Sequence, residues 1–382
     1  MEKITSIKDL QSRAKKRVPR MFYDYADTGS WAEVTYNANE ADFSKIKLRQ
    51  RVAVDISNRS IRTRMLGQDV SMPTALAPTG LTGMQRADGE ILAARAAEKF
   101  GVPFTLSTLS ICSIEDVAEN SVEPFWFQLY VMTDHKYSKA LINRAKKAGC
   151  SALMLTLDLQ ILGQRHKDIK NGLSIPPKFM SVSNLFDMSL KTRWCFEMLR
   201  TKRRSFRNVV GHVEGVSDMS SLGSWVSETF DLKFTWDDIE RIKDWWGGKL
   251  ILKGILDEED AYFAKRSGAD AIVVSNHGGR QLDGASSTIS VLPNIVEVVG
   301  DEVEVWVDGG IRSGQDILKS IALGAKGTMI GRPFLYGLGA FGEKGVIKCL
   351  EIMHKELDYS MALCGQRNIS EVDNKIIHSI QP

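Results

Sequence analysis

A histidine and an arginine lie three positions apart in the stretch 275–284, which reads Ser-Asn-His-Gly-Gly-Arg-Gln-Leu-Asp-Gly. The apolar run 270–274 before it predicts a buried strand, so His277 follows a strand's carboxyl end. Imidazole accepts a proton near neutral pH, and the planar guanidinium of Arg280 suits a carboxylate or a phosphate. Either residue alone is more often structural or a surface charge. Their combination, with two glycines that allow close backbone approach, predicts a proton acceptor and an anion-binding group in one site.

The elements that must position these residues form a regular alternation from residue 70 onward. Helical patterns separate most of the apolar runs, and glycines stand where five of the helices should end. The predicted strands are 72–77, 103–106, 125–130, 152–157, 250–255, 271–275, 303–307 and 327–330. The predicted helices are 89–100, 113–119, 135–148, 236–246, 258–267, 287–299 and 314–323, with a further helix at 4–14.

Eight strand–helix units predict a (β/α)8 TIM barrel, formed by a single domain over residues 1–382. The segment 171–234 is too long for an ordinary connection and is predicted to be an insert after strand four. Residues 43–54 are expected to cross the base of the barrel. A doubly wound sheet is the alternative, because alternation alone does not show closure.

Every predicted strand ends in polar or glycine residues, which would form a ring at the end of the barrel that carries active sites. The turns 308–312 and 330–333 each combine glycine with arginine and precede a predicted helix. Free N–H groups at a helix start attract anions, and barrels commonly bind phosphate after strands seven and eight. The sequence therefore predicts a phosphorylated ligand at this end.

Composition excludes several other classes of protein. The chain has 43% apolar and 25% charged residues, as globular proteins do, and its net charge of +3 does not indicate a nucleic-acid partner. Five cysteines without CxxC spacing argue against a disulfide framework and a zinc site, and no metal is predicted. The first 20 residues lack an apolar signal segment, and no run suggests a membrane-spanning helix.

The stretch 275–284 resembles the active-site signature of the FMN-dependent α-hydroxy-acid dehydrogenases and oxidases, and the resemblance covers roughly residues 23–335. It implies an FMN cofactor. The cofactor-binding positions that it implies, together with the two glycine-rich turns, are Ala77, Thr79, Ser107, Gln128, Thr156, Lys253, Ser275, Asp308, Gly309, Gly310, Arg312, Gly331 and Arg332. Lys253 would lie near N1 of the flavin. Without the flavin residues around it, this lysine would equally suit a Schiff-base nucleophile in an isomerase or aldolase barrel.

The resemblance also implies roles for the reaction, which is the oxidation of an L-2-hydroxy acid. His277 is the general base, and Asp158 orients it and stabilises its charged form. Arg280 and Tyr25 hold the substrate carboxylate, and Arg165 adds positive charge nearby. Tyr130 hydrogen-bonds the substrate hydroxyl or keto oxygen.

Leu109 stands where glycolate oxidases of this family tend to carry a tryptophan, which leaves room for a methyl group and favours L-lactate, oxidised to pyruvate. A soluble oxidase that uses O₂ and produces H₂O₂ is the alternative. Gln164 departs from the family, since many relatives have a second arginine there.

The insert contains a basic amphipathic stretch, 190–207, in which Trp194, Met198 and Leu199 fall near one helical face. Such a helix can pack on the barrel mouth or lie on an anionic membrane. The resemblance favours peripheral membrane contact through residues 188–207, at the cytoplasmic face of the bacterial inner membrane. It further implies a respiratory quinone or cytochrome as electron acceptor, and a homo-oligomer in which a helical tail, 345–372, closes the chain.

Overall fold

The computed structural model describes residues 3–173, 181–210, 212 and 229–381. Its strands are β1 (Ile46–Leu48), β2 (Thr63–Met65), β3 (Gln68–Val70), β4 (Thr74–Leu76), β5 (Thr105–Ser107), β6 (Trp126–Leu129), β7 (Ala152–Thr156), β8 (Lys249–Ile255), β9 (Ala271–Val274), β10 (Glu304–Asp308), β11 (Gly327–Ile330) and β12 (Ile377–Ile380). Its helices up to the insert are α1 (Ile7–Arg17), α2 (Arg20–Ala26), α3 (Val34–Lys45), α4 (Thr82–Gln85), α5 (Gly89–Phe100), α6 (Ile114–Ala118), α7 (His135–Lys147) and α8 (His166–Lys170). The later helices are α9 (Val182–Ser189), α10 (Thr192–Arg200), α11 (Asp237–Trp246), α12 (Glu258–Arg266), α13 (Thr288–Val299), α14 (Gly314–Ala322), α15 (Arg332–Phe341) and α16 (Glu343–Leu363).

Eight of these strands form one parallel sheet in the order β4-β11-β10-β9-β8-β7-β6-β5. The two ends of this order meet, because Leu76 of β4 bridges Phe104, the residue before β5, and its N–H donates to the carbonyl of Pro103 at 2.8 Å. The sheet is therefore closed. This confirms the predicted (β/α)8 TIM barrel and excludes the doubly wound alternative, whose edge strands stay unpaired.

The predicted helices between the barrel strands agree with α5, α6, α7, α11, α12, α13 and α14 to within one residue at each end. The amino-terminal helix was predicted too early: α1 spans Ile7–Arg17 and not 4–14. Its start is fixed by Ser6, whose side chain accepts from the N–H of Asp9 while the Asp9 carboxylate accepts from the N–H of Ser6. This reciprocal capping satisfies N–H groups that the helix itself leaves free, and so sets where it begins.

The hairpin β2–β3 closes the amino-terminal end of the barrel, so the expectation that residues 43–54 cross this base is wrong. Met65 of the hairpin belongs to an apolar cluster with Trp126 and Trp306, whose rings stack with centroids 5.1 Å apart. Phe43 lies at the opposite end, where its ring would be 3.0 Å from a Cβ on Gly310. The chain from Phe43 therefore starts beside the predicted phosphate turn.

The described part of the insert packs on the barrel mouth through α10. The Trp194 ring stacks on Phe22 at a centroid distance of 5.5 Å, and its Nε1 donates to the carbonyl of Met84 at 2.8 Å. Met198 is buried beside them, whereas the side chain of Leu199 is 72% exposed. Two of the three apolar residues predicted to share a face thus contact the barrel, and the third does not.

Candidate active site

A large cavity opens at the carboxyl ends of the barrel strands, where the polar ring was predicted. Counted with the open solvent at its mouth, it encloses a volume of about 1590 Å³. The predicted site residues that line it are Tyr25, Ala77, Thr79, Ser107, Leu109, Tyr130, Arg165, Lys253, His277, Arg280, Asp308, Gly309, Gly310, Arg312, Gly331 and Arg332.

The other predicted site residues lie directly behind this lining. Gln128 accepts a hydrogen bond from the Ser107 hydroxyl at 3.1 Å, and Ser275 accepts one from Lys253 at 2.9 Å. Thr156 is the last residue of β7 and is buried. Asp158 is hydrogen-bonded to His277, which lines the cavity. The structure thus brings all the predicted site residues to one end of the barrel.

His277 and Asp158 form a buried pair. The His277 Nδ1 lies 2.8 Å from the Asp158 Oδ1, and His277 lines the cavity, so the other ring nitrogen, Nε2, is left for a ligand. Burial lowers the pKa of His277, and the nearby carboxylate of Asp158 opposes that shift without cancelling it. Burial raises the pKa of Asp158, but His277 and then Lys253 outweigh it, so its pKa lies below the usual value. A neutral imidazole beside a carboxylate is the state that a general base requires.

The backbone of His277 is held in a conformation that side chains rarely adopt, with φ at +58°. Its N–H donates to the Ser275 hydroxyl at 3.1 Å, which fixes the loop directly after β9. Gly278 and Gly279 also have positive φ, and a Cβ on Gly279 would lie 2.5 Å from the backbone of Tyr36. The two glycines are therefore needed where the loop passes close to α3.

A bulge in β8 makes room for Asp158, and sequence reasoning did not find it. The pairing of β8 with β9 shifts register between Lys253 and Ile255. The intervening Gly254 has φ of +107°, and a Cβ there would lie 2.8 Å from both Cβ and Cγ of Asp158. A glycine directly after the predicted Lys253, inside a strand pattern, was the available signal for such a bulge.

Two guanidinium groups lie close to the ring of Tyr25, which also lines the cavity. The Arg280 Cζ lies 4.7 Å and the Arg165 Cζ 5.6 Å from the ring centroid. The Arg280 Nη1 donates to the carbonyls of Tyr25 at 2.6 Å and Thr28 at 3.2 Å, so its remaining N–H groups are free to meet an anion. Burial and then the neighbouring Arg165 lower the pKa of Arg280 to about 10, and it stays charged at neutral pH.

Asp168 is a cavity-lining residue that sequence reasoning missed. Its Oδ2 lies 3.2 Å from the Arg165 Nε, three residues earlier in the chain. Burial raises the pKa of Asp168 above the usual value, although Arg165 and then Arg280 oppose this. An acidic residue at this helical spacing from Arg165 was the signal. The carboxylate holds Arg165 in place and partly balances the two cations.

Tyr130 lines the cavity close to Asp158 and keeps its proton. Burial, and then the charge of Asp158, raise the pKa of the Tyr130 phenol well above its usual value. Its ring meets Phe230 edge-on at a centroid distance of 5.6 Å. A protonated phenol can donate a hydrogen bond to an oxygen atom of a ligand.

Lys253 is an ion-paired lysine and not a neutral amine. Its Nζ lies 2.9 Å from the Asp308 Oδ2 and donates to Ser275, whose hydroxyl donates to the same Asp308 oxygen at 3.0 Å. Burial disfavours the charged form, but Asp308 and then Asp158 outweigh it and raise the pKa of Lys253. A Schiff-base nucleophile needs the neutral amine, so this environment argues against the aldolase reading.

The barrel mouth offers unpaired polar atoms that suit a flavin ring. Among the described residues, the Gln128 Nε2 and the Thr156 Oγ1 are buried and have no hydrogen-bond partner. Buried polar groups are usually paired, so a missing partner indicates a ligand atom or water. Both residues were predicted, from the family resemblance, to bind the flavin cofactor. The donor and acceptor set therefore fits such a ring.

The two glycine-rich turns differ in what they leave open to a phosphate. At the start of α14 the N–H groups of Arg312 and Ser313 donate to the Asp316 carboxylate, so these two groups are not free to meet a phosphate. At the start of α15, within the described residues, no side chain caps the helix after Gly331. Arg332, the first residue of α15, donates from Nη2 to the carbonyl of Thr28 at 2.8 Å. The start of α15 is therefore a better phosphate site than the start of α14.

Comparisons with known proteins agree with this geometry. A family model described as FMN-dependent dehydrogenase matches residues 14–379. The chain belongs to this family. Family membership implies an FMN cofactor, which the open helix start, the unpaired Gln128 and Thr156 atoms and the buried Lys253 cation all fit.

Several relatives cover nearly the whole chain. An L-lactate dehydrogenase of Haemophilus influenzae is 43% identical over 370 residues, 97% of each chain. One of Pseudomonas syringae pv. syringae is 41% identical over 375 residues, 98% of each chain. A crystal structure of (S)-mandelate dehydrogenase, described as a monotopic membrane protein, superposes with a TM-score of 0.93 at 35% identity and covers 99% of this chain and 100% of that one. A mandelate oxidase superposes with a TM-score of 0.81 at 33% identity, covering 97% of both.

Proposed function

We propose that this FMN-dependent enzyme oxidises L-lactate to pyruvate. The observation that carries the proposal is the 2.8 Å pair of His277 and Asp158 in one cavity with Arg280, Arg165 and Tyr25. A 2-hydroxy acid has a hydroxyl-bearing carbon, which must lose a proton when it is oxidised, and a carboxylate. The cavity has a base for the proton and cations for the carboxylate. When bound, FMN supplies an acceptor for the two electrons.

In the proposed reaction, residues of the chain bind the carboxylate, accept the proton and stabilise the charges that develop. Arg280 and Tyr25 hold the substrate carboxylate, and Arg165, which also lies close to the Tyr25 ring, adds positive charge. The His277 Nε2 takes the proton that the substrate releases, and Asp158 stabilises the imidazolium that results. Tyr130 donates to the substrate oxygen. Lys253, paired with Asp308, would place a positive charge beside the bound FMN, which would favour the uptake of electrons.

L-lactate is favoured over other 2-hydroxy acids by two observations. The relatives at 41–43% identity are named L-lactate dehydrogenases. Leu109, which lines the cavity, is smaller than a tryptophan and leaves space for a methyl group. The test is anaerobic mixing of the purified yellow protein with L-lactate, glycolate or (S)-mandelate. L-lactate should bleach the flavin absorbance fastest, and faster bleaching by glycolate would contradict the assignment.

We propose a respiratory quinone or cytochrome as the electron acceptor, and not O₂. An oxygen electrode separates the two. With L-lactate present, slow O₂ uptake that rises when membranes are added supports a respiratory acceptor. Rapid O₂ uptake with stoichiometric H₂O₂ from the purified protein would instead support the soluble oxidase.

We further propose peripheral membrane contact through the insert, at the cytoplasmic leaflet. Within the described ranges, the structure has no helix with the length and apolar character needed to cross a membrane. Exposed apolar side chains nevertheless crowd α9, α10 and the turn between them: Val182, Leu185, Phe186, Leu190, Phe196 and Leu199. Exposed Arg193, Arg200, Lys202 and Arg204 flank them, and such cations are attracted to the anionic cytoplasmic leaflet.

A single domain over 1–382 is supported by the way the chain ends meet. The strand β12 near the carboxyl end pairs with β1, and α1 packs against α15.

We also propose a homo-oligomer, as the family resemblance implies. Light scattering coupled to gel filtration tests the oligomeric state.

A further inference from the structure

A short segment of the insert enters the barrel mouth and is held there by one buried amide. Asn208 is fully buried, and its Oδ1 accepts from the N–H of Ile114 at 3.0 Å. Its Nδ2 donates to the Ser110 hydroxyl at 3.0 Å and lies 3.4 Å from the carbonyl of Thr108. Asn208 thus fixes the insert to the loop after β5, and this is the loop that carries Leu109.

The backbone around Asn208 is held from the other side as well. The hydroxyl of Tyr137 donates to the Asn208 carbonyl at 3.0 Å, and the Arg144 Nη1 donates to the same oxygen at 3.2 Å. Earlier in the segment, Arg203 pairs with Asp116 at 2.9 Å and with Asp88 at 3.1 Å. These contacts reach α6, α7 and the loop before α5, so the segment is an integral part of the barrel end.

Phe206, two residues before Asn208, is buried and lines the active-site cavity. The cavity lining includes the polar side chains of Arg165, Arg280 and His277 and apolar side chains, among them Leu109 and Phe206. A 2-hydroxy acid bound by its carboxylate to the arginines must direct its alkyl group away from them. The apolar part of the lining, which includes Leu109 and Phe206, is the remaining place for that alkyl group.

We propose that Phe206 determines which side chains the substrate can carry, and that Asn208 is a positioning residue that holds Phe206 and Leu109 on the same wall. The inference rests on the proposed oxidation of a 2-hydroxy acid. It gives the insert a second role that is independent of membranes, because Phe206 and Asn208 face the barrel interior. A substrate with a methyl group fits beside the ring of Phe206, whereas a longer chain needs the space that the ring fills.

The test compares kcat/KM for L-lactate, L-2-hydroxybutyrate and L-2-hydroxyhexanoate in the FMN-loaded enzyme. Phe206→Ala should raise the ratio of hexanoate to lactate kcat/KM by about tenfold or more, since a single methylene in an apolar pocket changes kcat/KM by about 10–200-fold. Phe206→Trp should move the same ratio in the opposite direction. The control is Phe186→Ala, which removes the same ring from an exposed position on the same insert and should leave the ratio unchanged.

Asn208→Ala separates positioning from general support of the fold. If Asn208 positions Phe206, this variant should raise the hexanoate to lactate ratio as Phe206→Ala does, whereas a purely structural role would lower kcat/KM for every acid equally. Unchanged ratios in folded Phe206→Ala and Phe206→Trp would overturn the proposal. Should the wild type prefer a longer acid to L-lactate, the substrate assignment fails, yet opposite shifts in the two Phe206 variants would still support the role of this ring.

Discussion

Gly254 and Asp158 are in such close contact that a Cβ on the glycine would lie 2.8 Å from the Asp158 Cγ. Gly254→Ala must therefore displace the carboxylate that orients His277. A misplacement of about 1 Å in an active site can cost about 100-fold in rate. We expect kcat for L-lactate to fall by about that factor while FMN remains bound, because Gly254 does not line the cofactor cavity. Steady-state kinetics and the visible spectrum of the purified variant measure both.

Gly247→Ala is the matched control for this prediction. Gly247 also has a positive φ, +67°, so an alanine there carries a backbone cost of the same kind, although a smaller one than at Gly254, and a Cβ at this position meets nothing within 4 Å. It should lower the free energy of unfolding and leave kcat unchanged. Equal kcat losses in both variants would show that backbone strain, and not displacement of Asp158, is responsible.

The pH dependence of kcat/KM should report the titration of His277. The imidazole accepts a proton only when neutral, and burial lowers its pKa below the ordinary value of 6.5. The rate should therefore be level at neutral pH and decline as pH falls through a midpoint below 6.5. In Asp158→Asn the charge that favours imidazolium is gone, so the midpoint should move lower still and kcat should drop by orders of magnitude. A wild-type midpoint above neutral pH would rule out this assignment.

Arg280→Lys should behave as a loss of function despite keeping the charge. The guanidinium donates from one nitrogen to the carbonyls of Tyr25 and Thr28 and still has N–H groups for the substrate. A lysine ammonium is a point charge that cannot repeat this fork. Hydrogen bonds to charged groups are worth about 1.5–3 kcal/mol, so kcat/KM should fall by about 10–100-fold, with much of the change in KM. Arg64→Lys, at a side chain that is 72% exposed, is the control and should be neutral.

Local patterns in the sequence were enough to predict the barrel and the residues at its mouth. Apolar runs mark buried strands, and glycines mark helix ends, so both could be read within a short window. The strand-end residues of the site followed because the barrel places every strand's carboxyl end in one ring, whereas Tyr25, Arg165 and the residue roles came from the family resemblance. His277 and Asp158 are 119 positions apart, yet they follow β9 and β7, two strands of that ring that are separated only by β8.

The features that were missed depend on contacts between distant parts of the chain. Asn39 and Asn276 exchange two hydrogen bonds of 2.8 Å across 237 positions, and nothing local to Asn39 indicates this. The bulge at Gly254 depends on how β8 registers against β9. On α10, helical spacing correctly groups Trp194 with Met198 but does not say whether that face meets the barrel or a membrane. The contact between Trp194 and Phe22 shows that this face of α10 meets the barrel.

The insert should bind membranes through the outer side of α9 and α10, and substitution can test this without disturbing the barrel. Phe186 and Leu199 are 65% and 72% exposed. Burying such a side chain in an apolar phase is worth about 1.5–3 kcal/mol, so the double variant Phe186→Ser, Leu199→Ser should bind anionic vesicles at least about tenfold more weakly. Cosedimentation with vesicles at low and high salt measures it, and high salt should release the wild type partly, because Arg193 and Arg200 contribute by charge.

The matched control removes two exposed apolar side chains elsewhere, in Val122→Ser, Leu363→Ser, and should sediment as the wild type does. Trp194→Ser should act differently from both, since it breaks the contact with Phe22 and the hydrogen bond to Met84 and so destabilises the docking of α10. Its effect should appear in thermal unfolding before it appears in vesicle binding. Sedimentation of the Phe186 and Leu199 double variant at the wild-type level would mean that these helices do not contact the membrane.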